Sequence, residues 1–187
     1  MYRYKIEELK KWRNSKNRKP LIIRGARQVG KTWLMKEFAK NNYEKYAYIN
    51  FDSNNRMKEL FSNGYDIEKI IQGLKIETGV NIEKENTLII FDEVQEVPEA
   101  LTSLKYFYEN AKEYHIISAG SLLGVAMHPK TSFPVGKVDF IDLYPLNFFE
   151  FLNAIGKTEL LKIIKNNDMD MIKIFSDELK DLLKQYL

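Results

Sequence analysis

Residues 21–34 read Leu21-Ile22-Ile23-Arg24-Gly25-Ala26-Arg27-Gln28-Val29-Gly30-Lys31-Thr32-Trp33-Leu34. A short β-branched run meets a glycine, crosses four residues, and reaches Gly30-Lys31-Thr32 at the start of a segment whose periodicity predicts a helix to about Lys40. The spacing is that of a P-loop, and it sits in the strand-to-helix context that such a loop needs. Successive backbone N–H groups in this loop can converge on an anion, the helix N-terminus adds partial positive charge, and the glycines permit close approach. Gly25, Ala26, Arg27, Gln28, Val29, Gly30, Lys31, Thr32 and Trp33 are therefore the candidate nucleotide-binding segment. Lys31 is expected to reach the β- and γ-phosphates of a bound nucleotide, and the Thr32 hydroxyl to ligate magnesium.

Downstream, Leu88-Ile89-Ile90-Phe91-Asp92-Glu93 places two carboxylates at the end of an apolar run. Ligands bind at the C-terminal ends of strands in α/β sheets, so this reads as a Walker B strand. Asp92 is expected to hold magnesium, usually through its water shell, and Glu93 to polarise the attacking water. His115-Ile116-Ile117-Ser118 is a further strand ending in Ala119-Gly120-Ser121, where Ser121 either senses the γ-phosphate or helps turn the chain. Arg24, Arg27 and Lys137 are candidate partners for phosphoryl charge, with Arg27 either facing the γ-phosphate or bracing nearby acids. Tyr2, Tyr4 and Trp12 read as packing residues, with contact to a base as the other reading. A serine hydrolase is excluded by the lack of a Gly-x-Ser-x-Gly elbow. Of the histidines, His115 reads as a strand-edge residue and His128 as a loop residue.

Around these motifs strands and helices alternate. The pattern predicts a helix over Arg3–Asn14, strands at Leu21–Ile23, Ala47–Phe51, Leu88–Phe91, His115–Ser118 and Lys137–Leu143, and helices at Asp66–Thr78 and Glu99–Ala111, the last opened by Pro98. That order implies a parallel α/β sheet. After Pro145 the chain reads as helices at Asn147–Ala154, Thr158–Asn166 and Asp168–Leu187. The expected organisation is an N-terminal helix and basic loop (1–19), a P-loop core (20–146) and a helical tail (147–187). The apolar pattern still runs at Leu187, with no capping residue, which reads as a longer chain cut short.

The 187 residues suit one ordinary domain, 44% of them are hydrophobic and 29% charged, and the net charge is only +3. Disorder is excluded and no charged partner is named by the balance. The absence of cysteine excludes disulfides, thiolate zinc sites and cysteine nucleophiles, and two histidines make a histidine-built zinc site implausible. No apolar stretch approaches a membrane span and the first residues are charged, so the expected location is cytoplasmic, with no membrane partner. Lys10–Lys19 holds six basic residues in ten, either a solvated helix end and loop or a phosphate and nucleic-acid patch.

The strings Gly25-Ala26-Arg27-Gln28-Val29-Gly30-Lys31-Thr32, Ile89-Ile90-Phe91-Asp92-Glu93-Val94-Gln95, Ala119-Gly120-Ser121 and Leu143-Tyr144-Pro145-Leu146, followed by Glu150-Phe151, together resemble the prokaryotic AAA-superfamily ATPases related to the STAND group. Longer members of that family join the ATPase domain to a C-terminal nuclease-like domain. The resemblance covers nearly the whole chain. It implies a P-loop NTPase three-layer sandwich with strand order 5-1-4-3-2 and a partial helical lid. It also implies Lys31 and Thr32 for nucleotide and magnesium, Asp92 and Glu93 as Walker B acids, and Ser121 at the sensor position. Relatives tend to carry arginine where this chain has Lys137 after Gly136, and they continue beyond a pair like Tyr186-Leu187. The expected function is binding of Mg-ATP and its hydrolysis to ADP and phosphate, with Glu93 activating water. The alternative is a nucleotide-dependent switch or interaction module with negligible turnover, working through a protein partner or the further domain.

Overall fold

The computed structural model describes residues 2–121, 134 and 136–187. His128 lies outside the described residues. The chain divides into two compact units, one of Glu7–Leu143 and one of Met1–Ile6 with Tyr144–Leu187.

The larger unit is built on five strands: β1 (Leu21–Gly25), β2 (Lys45–Asn50), β3 (Thr87–Asp92), β4 (His115–Ser121) and β5 (Asp139–Asp142). Every pairing is parallel and the order is β2-β3-β4-β1-β5. Taken from the other edge this is the expected 5-1-4-3-2, the parallel sheet of a P-loop NTPase. A parallel sheet covered on both faces demands apolar residues facing both ways. All six residues of β3 are accordingly buried, which is why Leu88–Phe91 reads as an unbroken apolar run. Because the strands run one way, the C-terminal ends of β1, β3 and β4 meet at one sheet edge.

Helices α1 (Lys5–Arg13), α2 (Lys31–Asn42), α3 (Asn55–Ser62), α4 (Ile67–Thr78) and α5 (Pro98–Asn110) connect and flank the strands, with one 3-10 turn at Val94–Glu96. Asp66 starts α4 by accepting the Glu68 and Lys69 amides, and Gly79 ends it at φ 68. Helix α3 is not foreseen by the sequence pattern. Asn54 caps it by accepting the Met57 amide. Its work is local: Phe61 stands edge-on to Phe51 and Phe91 at 5.6 and 5.7 Å between centroids. His115 is buried at the start of β4, its Nδ1 2.7 Å from the Tyr43 hydroxyl. Burial first, then the nearby Arg18 and Arg13, lower its pKa to about 4, so the ring is neutral and structural.

Part of the basic stretch is spent inside this unit. Arg18 donates to the carbonyls of Arg13 and Lys112, Lys19 to that of Gly136, and Arg13 lies 4.8 Å from the Tyr43 ring centroid. Trp12 is buried and donates its indole N–H to the Lys19 carbonyl at 2.7 Å, which makes it a packing residue.

The smaller unit holds α6 (Phe148–Ala154), α7 (Thr158–Lys165), α8 (Met169–Ile174) and α9 (Ser176–Tyr186). The sequence pattern predicts one helix from Asp168 to Leu187; the structure breaks it at Phe175. The break lets Phe175 and Leu179 both pack on the cluster of Leu152, Leu160, Leu161 and Leu182. Asn147 and Glu150 form a reciprocal capping box at the start of α6. Buried Glu150 also accepts the Tyr4 amide at 2.8 Å and faces the Arg3 guanidinium at 3.3 Å, and Arg3 donates to the Tyr144 carbonyl at 2.6 Å.

Gly25 does not have a positive φ; it is needed because a Cβ there would collide with the Leu143 carbonyl oxygen, whose own amide donates to the Arg24 carbonyl at 2.7 Å. Gly25→Ala should therefore cost about 2 kcal/mol in urea unfolding, as overpacking against backbone does. Glu150→Ala removes the buried carboxylate that faces the Arg3 guanidinium and accepts the Tyr4 amide, and should lower stability by about 3 kcal/mol in the same measurement.

Candidate functional site

The loop between β1 and α2 takes positive φ at Gln28 (63°) and Gly30 (90°), a backbone form that turns N–H groups toward a common concavity. Lys31 opens α2 and is buried, its Nζ donating to the carbonyls of Gly25 at 3.1 Å and Ala26 at 2.7 Å. Burial lowers its pKa from the ordinary lysine value, opposed by the carboxylates of Glu93 and Asp92. The ammonium is thus held over the loop by weak acceptors, carbonyls that an anion's oxygens can replace.

Asp92, at the end of β3, is 3% exposed. Its Oδ2 accepts the Thr32 hydroxyl at 2.6 Å and the Tyr48 hydroxyl at 2.9 Å, and its Oδ1 accepts the Glu93 amide at 3.1 Å. Tyr48 has its pKa raised, first by burial and then by the Asp92 carboxylate, so it stays a donor. Glu93 sits in the left-handed region at φ 51°, uncommon for a residue with a Cβ, at the head of the 3-10 turn. Its Oε2 accepts Gln95 Nε2 at 2.6 Å. Strain of this kind costs about 1–3 kcal/mol and here re-aims a carboxylate from the strand line into a cleft.

That cleft has a volume of about 730 Å³ and is lined by Arg27, Gln28, Gly30, Lys31, Thr32, Trp33, Tyr48, Asn50, Asp52, Asp92, Glu93, Gln95 and Glu96. The structure thereby brings together most of the residues singled out from the sequence. Ala26 is exposed in the loop and Val29 buried beneath it. Ser121 pairs in register with Gly25, so its backbone ends β4 beside the loop, and its side chain lies outside the described atoms. Two of the three basic candidates are elsewhere. Arg24 makes a two-pronged bond to Asp142 at 2.9 and 3.0 Å and stacks on Phe140, and Lys137 pairs with Glu109 at 3.1 Å. Arg27 is the one that reaches the cleft.

Tyr48, Asn50, Asp52 and Gln95 are cleft residues that sequence reasoning missed. For Tyr48 and Asn50 the signal was strand register: β2 pairs with β3 so that Asn50 lies opposite Asp92, placing Tyr48 two residues back on the same face. Among the described residues no group of three or more His, Cys, Asp or Glu could hold a metal. The donors that do converge, a carboxylate and a hydroxyl, fit a hard cation that keeps waters and takes phosphate oxygens as its other ligands, as magnesium does. No helix among the described residues is long and apolar enough to cross a membrane.

The chain is 24% identical over 193 residues to the uncharacterized protein MJ1637 of Methanocaldococcus jannaschii, a match that covers 97% of this chain and 39% of that one. The chain thus spans about two-fifths of that relative's length. Among solved structures it resembles the Drosophila ORC bound to DNA (TM-score 0.54, 16% identity, 94% of this chain and 56% of that one). It also resembles the Aeropyrum pernix ORC1 protein in complex with DNA (TM-score 0.51, 11% identity, 84% and 50%). Both likenesses are of fold. The family described as AAA domain matches residues 17–152, which take in the β1–α2 loop, the end of β3 and the whole sheet. The chain belongs to the AAA domain family.

Proposed function

We propose that this chain binds Mg-ATP in the cleft at the ends of β1 and β3 and hydrolyses it to ADP and phosphate. The AAA-type P-loop fold carries nucleotide binding as its general expectation, and ATPase activity is general among such proteins. The observation that carries the finer reading is the Thr32–Asp92 hydrogen bond beside the buried Lys31 ammonium. A cation-binding pair and a phosphate-binding cation stand together, at the mouth of an amide-lined loop.

In this reading the loop amides of residues 25–33 orient the phosphates and Lys31 exchanges its carbonyl contacts for β- and γ-oxygens. Magnesium, held from the side of Thr32 and Asp92, would neutralise charge on those oxygens. Glu93 holds the attacking water and takes its proton, and Gln95, bonded to Oε2, leaves Oε1 to do so. Arg27 stands at the cleft as a charge partner for the γ-phosphate, and Ser121 is the sensor at the end of β4. Adenine rather than guanine follows the family.

Glu93→Gln tests the catalytic assignment. Anisotropy of a labelled ATP should report binding close to native, while phosphate release should fall about 100-fold or more, the loss expected of a general base. A native rate in that variant would mean that Glu93 is not the base. Binding without release in the native chain would make the site a nucleotide-dependent switch.

A further inference from the structure

We infer that Tyr48 is a positioning residue that selects the metal of this site, restricting Asp92 to one-point engagement and so favouring magnesium over calcium. The inference rests on the reading of the cleft as a Mg-ATP site.

A carboxylate offers about four lone-pair positions, two on each oxygen. On Asp92, Oδ2 is fully committed, one position to Thr32 at 2.6 Å and the other to Tyr48 at 2.9 Å. Oδ1 accepts the Glu93 amide at 3.1 Å. One position remains, on Oδ1. A cation, or a water on it, can therefore meet this carboxylate at one oxygen only.

Magnesium is small and octahedral, keeps its waters, and binds carboxylates through one oxygen; calcium is larger, takes more ligands, and readily uses both oxygens of a carboxylate. The hydroxyl of Tyr48 closes the route to the second mode. Thr32 alone would leave Oδ2 half free.

The phenol is also held in place for this task. Lys36 Nζ lies 3.5 Å from its ring centroid, and Lys36 follows Thr32 by four residues on α2, one helical turn away on the same face. The helix that presents the Thr32 hydroxyl thus also clamps the ring that shares its acceptor.

Tyr48→Phe removes the hydroxyl and keeps the ring, its packing and the cation above it. The full chain and this variant are unfolded thermally in saturating ATP while magnesium or calcium is titrated, each as the sole divalent ion. The readout is the concentration of each ion giving half of the ATP-dependent stabilisation. In the native chain magnesium should act at lower concentration than calcium. In Tyr48→Phe the calcium-to-magnesium ratio should fall about tenfold, the lower end of what outer-shell changes do to metal affinity. The same ratio in both proteins overturns the inference, including when the variant's unfolding temperature without ligand is lower, since the ratio is taken against each protein's own baseline. If neither ion with ATP stabilises the native chain, the nucleotide-site reading itself fails and this inference with it.

Discussion

A single hydrogen bond, 2.6 Å from the Thr32 hydroxyl to Asp92 Oδ2, joins two parts of the chain sixty residues apart and ties the first turn of α2 to the end of β3. It can form only if β1 and β3 run parallel with one strand, β4, between them, so that both end at one edge of the sheet. The burial of Asp92 makes the arrangement exacting. A buried carboxylate must have its hydrogen bonds met, and here three donors from three different elements converge on it: Thr32 from α2, Tyr48 from β2 and the Glu93 amide. The sheet order, the loop and the cleft are all conditions for that convergence.

Around this point the backbone departs from its easiest conformations. Gln28, Gly30 and Glu93 all have positive φ, and they flank the same cleft. Strain of this kind persists only where the surroundings over-determine it. Beneath Glu93 lies the fully buried β3, with Phe91 edge-on to both Phe51 and Phe61. Behind the loop, Gly25 admits the Leu143 carbonyl so closely that no side chain fits. The first glycine of the loop is required by packing against the strand at β5, and the last by its left-handed turn.

Much of this was legible in the sequence for physical reasons. The apolar run Leu88–Phe91 signals a strand buried on both faces, and Gly30-Lys31-Thr32 after Leu21–Ile23 signals a loop entering a helix. What was not legible depends on pairing or on few residues. Tyr48 looks like any strand aromatic until the register sets Asn50 opposite Asp92. Arg24, inside the motif, looks available for phosphate until β5 supplies Asp142. Helix α3 is short and Asn-initiated, and the break at Phe175 serves a cluster that α9 shares with α6 and α7. For Tyr48 and Arg24 the deciding partner lies far away along the chain.

The most direct test of the central claim is thermal unfolding of the native chain and of Lys31→Ala with Mg-ATP, Mg-ADP, Mg-GTP or magnesium alone. A nucleotide at a hundred times its dissociation constant adds about 2.7 kcal/mol to stability, a shift that is easily read. The expected result is stabilisation by the adenine nucleotides in the native chain, none from magnesium alone, and loss of the effect in Lys31→Ala. Equal stabilisation of both proteins, or none of the native chain by any nucleotide, would contradict the claim that the Lys31 loop and the Thr32–Asp92 pair form a Mg-ATP site.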